Sequence, residues 1–201
     1  MTRGQRAFEG ALRRLRIWKY RRLSTCRRVT GSALVLQPVL LLGPGRIEFG
    51  RDVEFGWPTS SGFHSGYGHV EAASPEATIA IGDGSQINNG VVLKSEGPGI
   101  RIGARALLGS GIRIYDSDFH ELLPDRRRGG TPSMAAVELG ENVFVGDGVT
   151  ILKGVTIGAG SVIGAGSVVT SSIPAGVVAA GNPARVVRTL VQVEDRASAT
   201  R

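Results

Sequence analysis

The sequence predicts an all-β solenoid, specifically a parallel β-helix. The main observation is a strict period of six across residues 139–174, where an aliphatic residue opens every block: Leu139, Val145, Ile151, Ile157, Ile163 and Val169. An α-helix repeats every ~3.6 residues and a strand every ~2, so neither explains this period. Hexapeptide repeats are typical of β-helices. The composition agrees, because 30 glycines and only 5% aromatic residues favour many tight turns.

Each block of six predicts one short strand and one corner, so that three blocks form a triangular coil. We expect the opening residue to point inward, together with the small residue four places later, such as Val149 or Ser161. Glycine follows the opening residue in four blocks, at Gly140, Gly146, Gly158 and Gly164. We attribute these glycines to corners that require a left-handed backbone.

The elements follow in order along the chain. We predict a basic N-terminal helical segment over 1–30, a β-helix domain over 31–190 and a flexible tail over 191–201. The repeat is firm from Ile81, with coils expected at 81–101, 102–119, 139–156 and 157–174, and residues 175–190 close the array as a C-terminal cap. Residues 120–138 break the period and are expected to protrude as a loop, where function often concentrates.

The positive charge is concentrated at the N-terminus. The chain carries a net charge of +7, but residues 1–28 hold ten of the 24 Lys and Arg residues and one acidic residue. This segment either caps the open end of the solenoid, as solenoid ends require, or contacts an anionic membrane surface or a glycosyltransferase partner. We expect no nucleic-acid binding, because no aromatic stacking platform accompanies the charge.

The cysteine content and the apolar runs of the sequence indicate the cellular compartment of the protein. A single cysteine, Cys26, excludes an internal disulfide and a cysteine-based zinc cluster. The apolar run at 33–42 is too short to span a membrane. We therefore expect a cytoplasmic protein, with contact to the inner membrane surface as the alternative that the basic segment suggests.

Three motifs carry a resemblance to a known family. They are "IYDSDFHEL" before the loop, "VELGENVFVGDGVTILKGVTIGAGSVIGAGSVVT" after it, and "AAGNPARVVR" near the end. Over roughly 46–190 the chain resembles the hexapeptide-repeat acyltransferases, in particular the galactoside, maltose and polysaccharide O-acetyltransferases. The resemblance implies a left-handed β-helix, a homotrimer with active sites between subunits, and acetyl-CoA as the donor.

The resemblance also implies roles for individual residues. His120 matches the catalytic base, and either Asn88 or Asn89 matches an active-site asparagine. The positions that match contacts to the donor are Phe144, Gly146, Ala165, Gly166, Thr170, Arg185 and Arg188. A neutral imidazole suits a general base near pH 7, and Asp116 and Asp118 precede His120 closely enough to orient its ring.

The expected function is transfer of an acetyl group from acetyl-CoA to a sugar hydroxyl in cell-surface polysaccharide biosynthesis, without a metal. N-acylation of an amino sugar on a nucleotide carrier is the alternative reaction, and a non-catalytic β-helix scaffold is the alternative without chemistry. His64 and His69 raise a zinc-enzyme hypothesis, but their spacing from His120 does not match the β-helical carbonic anhydrases. They are alternatively expected to contact the acceptor.

Overall fold

The computed structural model describes residues 2–190, and the predicted tail at 191–201 lies outside them. Over the described range the chain forms one helix, α1 (Arg3–Leu23), followed by twenty strands in three sheets. The first sheet contains β1 (Arg28–Thr30), β4 (Arg46–Phe49), β7 (Thr78–Ile81), β10 (Ile100–Ile102), β13 (Val137–Leu139) and β16 (Thr156–Ile157).

The second sheet contains β2 (Ala33–Val35), β5 (Val53–Phe55), β8 (Gln86–Ile87), β11 (Leu107–Leu108), β14 (Phe144–Val145), β17 (Val162–Ile163), β19 (Val177–Gly181) and β20 (Ala184–Thr189). The third contains β3 (Val39–Leu42), β6 (Gly68–Ala72), β9 (Val92–Ser95), β12 (Arg113–Tyr115), β15 (Thr150–Ile151) and β18 (Val168–Val169). The chain visits the three sheets in turn, so residues 28–169 wind through six coils of a prism.

Neighbouring coils stack in parallel register. Leu108, for example, pairs with Ile87 on one side and Val145 on the other. The antiparallel hairpin of β19 and β20 ends the second sheet. These features confirm the predicted left-handed β-helix with a basic helix, a protruding loop and a terminal cap.

Two coils precede the part of the chain where the period is readable. They comprise β1 to β3 and β4 to β6, and the first strand begins at Arg28. The period is hidden there because the first corners contain only two or three residues, and because an excursion at 56–67 separates β5 from β6. A stacked coil needs compatible strand pairing, not a constant number of residues at each corner.

The repeat fills the core as expected. The side chains of Ile151, Ile157 and Ile163 are fully buried, and so are those of Val149 and Ser161 four places after an opening residue. The opening residue and the residue four places later therefore both point inward.

The explanation of the four repeat glycines is corrected by the structure. The left-handed backbone occurs two residues later, for example at Gly148 (φ 68°) and Gly166 (φ 71°). Gly146 is required for a different reason, since a Cβ atom there would lie 2.6 Å from the backbone nitrogen of Ala165 in the next coil. Close stacking of the coils, and not handedness, excludes a side chain at that position.

The helix α1 begins with a capping box. The Thr2 hydroxyl accepts a hydrogen bond from the Gln5 amide, and the Gln5 side chain accepts one from the Thr2 amide. The helix covers the open end of the prism incompletely, because a cavity of about 430 Å³ remains between Ile17 and inner side chains such as Val29 and Phe55. Within residues 2–190, no helix is both long and apolar enough to cross a membrane.

Candidate active site

A surface groove of about 340 Å³ lies on the outer face of the second sheet, beside the turns that lead to the third sheet. Its walls include Trp57, Asn88, Leu107, Phe144 and Asp147. Trp57, Leu107 and Phe144 leave nearly half of their surface exposed, which is unusual for large apolar side chains on a rigid scaffold. The groove can therefore accept an apolar or extended ligand.

The structure separates the roles of the two candidate asparagines. The Asn89 side chain is 2% exposed and is fully engaged: Oδ1 accepts from the Trp57 amide at 3.0 Å, and Nδ2 donates to carbonyl oxygens of Trp57, Ser60 and Ser61. Asn89 therefore anchors the excursion at 56–67. Asn88 lines the groove and donates one hydrogen bond to Ser60 Oγ at 2.9 Å, which leaves a second N–H on Nδ2 for a ligand.

The expected donor contacts continue along the same corner of the prism. The Gly146 amide donates to Ile163 in the next coil, and the Gly166 amide donates to Asp147. One turn below, Ala180 pairs with Arg185 across the terminal hairpin. Asn88, Gly146, Ala165, Gly166 and Arg185 therefore form one edge of the molecule, although they are spread over about one hundred residues of sequence.

Arg188 lies farther along β20, opposite Val178. Its side chain and that of Arg185 are both exposed. Two guanidinium groups at the end of the groove edge suit a phosphate-bearing ligand, because arginine forms bidentate hydrogen bonds with phosphate.

His120 lies at a different corner, between the third and first sheets. It follows β12 at the base of the 120–138 loop, is exposed, and does not line the groove. Thr170, which follows β18, shares this corner and not the Asn88 corner. Because a whole face separates the two corners, His120 and Asn88 of one chain are roughly 15 Å or more apart.

The two aspartates before His120 have other partners. Asp116 is fully buried and accepts hydrogen bonds from Ser95 Oγ (2.6 Å) and the amides of Glu96 and Gly99 (both 2.8 Å). Asp118 Oδ2 lies 3.3 Å from Lys153 Nζ. The expectation that they orient the imidazole is therefore wrong, and they fix the start of the loop instead.

A second cluster lies on the outer face of the third sheet. Glu71 Oε2 is 3.0 Å from His69 Nε2 and 3.3 Å from Lys94 Nζ. The Lys94 ammonium also lies over the ring of Phe119, the residue that precedes His120 in the chain. Partial burial opposes ionisation of Glu71, but the hydrogen bond from His69 and the charge of Lys94 outweigh it and lower the carboxyl pKa. His69 is thus a hydrogen-bond partner of Glu71 in this structure.

His64 lies away from His69 and faces α1, with Nε2 3.7 Å from Glu9 Oε1. Among residues 2–190, no three His, Cys, Asp or Glu side chains converge as metal ligands would. Each of the two histidines instead lies beside one glutamate, His64 beside Glu9 and His69 beside Glu71.

The groove residues that were not predicted from the sequence include Trp57, Ser60 and Leu107. Leu107 occupies an outward position of a repeat block. A large apolar residue at an outward position could have indicated a ligand-binding surface from the sequence alone. Trp57 and Ser60 gave no comparable signal, since they belong to the irregular excursion that Asn89 folds back over the groove.

Comparisons with known proteins agree with this architecture. The family model described as bacterial transferase hexapeptide (six repeats) matches residues 136–171. A hexapeptide-repeat-containing acetyltransferase from Vibrio cholerae is 26% identical, with 89% of this chain and 81% of that chain covered and a TM-score of 0.54.

Two further solved structures share the fold at lower identity. A maltose O-acetyltransferase from Clostridium difficile is 24% identical, with 93% and 87% coverage and a TM-score of 0.51. A mutant of the N-acyltransferase AntD from Bacillus cereus, solved with dTDP and coenzyme A, is 19% identical, with 87% and 88% coverage and a TM-score of 0.65. The matched repeat and the shared fold show that the chain is a β-helix built from hexapeptide repeats, an architecture that it shares with acetyltransferases of known structure.

Proposed function

We propose that the protein transfers an acetyl group from acetyl-CoA to a sugar hydroxyl of a cell-surface polysaccharide unit in the cytoplasm. The observation that carries this proposal is the exposed His120 at the base of a loop that interrupts the repeat, on the scaffold of an acyltransferase. A scaffold without chemistry does not require a histidine at that position.

The reaction needs a base, an oriented donor and stabilisation of the developing oxyanion. His120 takes the proton of the acceptor hydroxyl while its oxygen attacks the thioester carbonyl carbon. The tetrahedral intermediate then collapses, the C–S bond breaks, and the imidazolium returns the proton to the coenzyme A sulfur. The free N–H of Asn88 is available to donate to the reacting carbonyl or to the acceptor.

The donor is proposed to lie along the edge that contains Gly146, Ala165 and Gly166, with its nucleotide end at Arg185 and Arg188. A Cβ atom on Gly166 would meet open space, so the absence of a side chain there lets an extended pantetheine arm approach the backbone closely. Phe144 and Trp57 would form the apolar wall beside the thioester. Thr170 of a neighbouring chain would face the same ligand from its own corner.

A homotrimer is proposed because the two halves of the site lie at different corners of the chain. A threefold arrangement places the His120 corner of one subunit against the Asn88 corner of the next. Closed cyclic symmetry of this kind gives three identical sites. The 120–138 loop, with the exposed Arg126, Arg127 and Arg128, would then reach over the neighbouring groove.

N-acylation of a nucleotide-linked amino sugar is the alternative reaction on the same site. An acceptor panel that contains both plain and amino sugars distinguishes the two, because ester and amide products differ in their stability to mild base.

The central test is His120→Ala, with His64→Ala as a matched exposed-histidine control. Release of coenzyme A from acetyl-CoA is measured with the sugar panel. We expect His120→Ala to lower turnover by roughly 10²–10⁴-fold and to retain coenzyme A binding. His64→Ala should leave turnover unchanged. A His120→Ala enzyme that keeps most of its turnover would overturn the proposal.

A further inference from the structure

The helix α1 is attached to the β-helix through only one of its faces. Arg16 donates from Nη1 to the Phe63 carbonyl at 2.9 Å and from Nη2 to the Gly66 carbonyl. One turn later, the Tyr20 ring stacks on Tyr67 with centroids 4.5 Å apart. These partners belong to the excursion at 56–67, so the contacts that hold the docked face are polar and aromatic, and Ile17 on the same side faces the cavity at the open end of the prism.

The apolar face of α1 points away from the body. Phe8, Leu12, Leu15 and Trp18 are 67%, 44%, 59% and 57% exposed, and no residue of the helix is buried. Their spacing of four, three and three residues places them on one side of the helix. A helix that served only as a cap would bury this stripe, because burial of large apolar side chains is the main stabilising contribution available to it.

Basic residues surround this apolar face. The helix carries eight Lys and Arg residues and one acidic residue, Glu9, which faces His64. Lys19 and Arg22 lie within the arc of the stripe, and the Arg22 guanidinium lies 5.8 Å from the centre of the Trp18 ring. A second copy of the chain offers little to balance this charge, since residues 29–201 carry a net charge of only −2.

We infer that α1 binds the surface of an anionic phospholipid bilayer. Its large aromatic and leucine side chains enter the boundary between headgroups and acyl chains, while the basic residues meet the lipid phosphates. Each basic residue near an anionic surface strengthens binding by about fivefold at physiological ionic strength. The helix lies in the plane of the surface and keeps the β-helix against the membrane without crossing it.

The test uses the full-length protein and vesicles of phosphatidylcholine with or without phosphatidylglycerol. Flotation should recover the protein with the anionic vesicles and not with the neutral ones, and added salt should release it. Leu12→Asp/Leu15→Asp should weaken binding to the anionic vesicles by roughly tenfold or more. Leu122→Asp, which places the same substitution at a similarly exposed loop position, should bind like the wild type.

A fluorescence measurement reports on the helix directly. The chain has two tryptophans, so Trp57→Phe leaves Trp18 as the only reporter. Its emission should shift to the blue when anionic vesicles are added. An emission that is already blue in solution and does not respond to vesicles would show that a second copy covers the stripe, and this outcome would overturn the inference. Equal binding to neutral and anionic vesicles would also overturn it.

Discussion

Asn88 and Asn89 are adjacent in the chain, but their side chains have different surroundings. In a strand or a turn, adjacent side chains point to different sides, so one asparagine faces the groove and the other faces the excursion at 56–67. Sequence resemblance alone left the choice between them open. The hydrogen bonds of Asn89 to Trp57, Ser60 and Ser61 favour Asn88 as the residue that contacts the ligand.

Alanine substitutions should separate these two roles. Asn89→Ala leaves the Trp57 amide and several carbonyls without their partner, and should lower the free energy of unfolding by about 1–3 kcal/mol. Asn88→Ala should lower turnover by roughly 10–100-fold with a smaller change in stability. Thermal denaturation and turnover are measured on both variants. If Asn88→Ala proves to be the less stable variant and Asn89→Ala the less active one, the assignment is reversed.

The terminal hairpin is the element that places Arg188 at the end of the groove edge. Its position depends on the antiparallel pairing of β19 with β20, which follows the last parallel coil. The hexapeptide period ends before this hairpin, so its placement could not be derived from periodicity. The family resemblance indicated Arg185 and Arg188 as candidate residues. The strand pairing then places Arg185 opposite Ala180 and Arg188 opposite Val178.

Arg188→Ala should weaken binding of coenzyme A more than binding of dephospho-coenzyme A. The reason is that Arg188 is proposed to meet the 3′-phosphate, which only the first ligand carries. The two dissociation constants are compared by calorimetry, with exposed Arg101→Ala as a control on a different face. Equal losses for both ligands would remove this role from Arg188.

The outer face of the third sheet gives a prediction on pH. The Glu71 carboxyl has a lowered pKa because its contacts with His69 and Lys94 outweigh the cost of partial burial. Its stabilising contribution is therefore present above the ordinary glutamate pKa and is lost as the pH falls through the lowered value. Acidification from about pH 5 to about pH 3 should remove it.

Glu71→Gln should accordingly make the melting temperature less sensitive to acid over this range. We expect a difference of about 1–3 °C from the wild type, since the group is partly exposed and its ion pairs are screened. Asp125→Asn, in the exposed loop, is the control. A Glu71→Gln protein with the same loss of melting temperature between the two pH values would contradict the expectation.

At the scale of the whole molecule, the distance between the His120 and Asn88 corners means that the proposed site, which contains both residues, would need a second chain. This requirement can be tested by complementation. His120→Ala and Asn88→Ala are each expected to be poorly active as homotrimers. If each site takes His120 from one subunit and Asn88 from its neighbour, random mixing of equal amounts restores about a quarter of the sites.

The measurement is turnover after the two variants are co-expressed and the whole trimer population is purified, with light scattering to establish the oligomer. The same variants left unmixed provide the baseline. If both residues served one site within a single chain, no mixed trimer would contain an intact site and the activity would stay at the baseline. A stable monomer with full activity would contradict the shared site altogether.

The sequence by itself determined the β-helix, the inward positions and the loop at 120–138, because a stacked coil imposes its period on the residues that fill the core. It did not determine the strands of the first two coils, since shorter corners and the 56–67 excursion interrupt the period there. Only the tertiary structure decided which residues share a corner: Asn88 with Gly146, Gly166 and Arg185, and His120 with Thr170. Residues of different coils share a corner because strands that are distant in sequence pair with each other. Which strands pair depends on the number of residues in each excursion, and this number cannot be read from the local six-residue period.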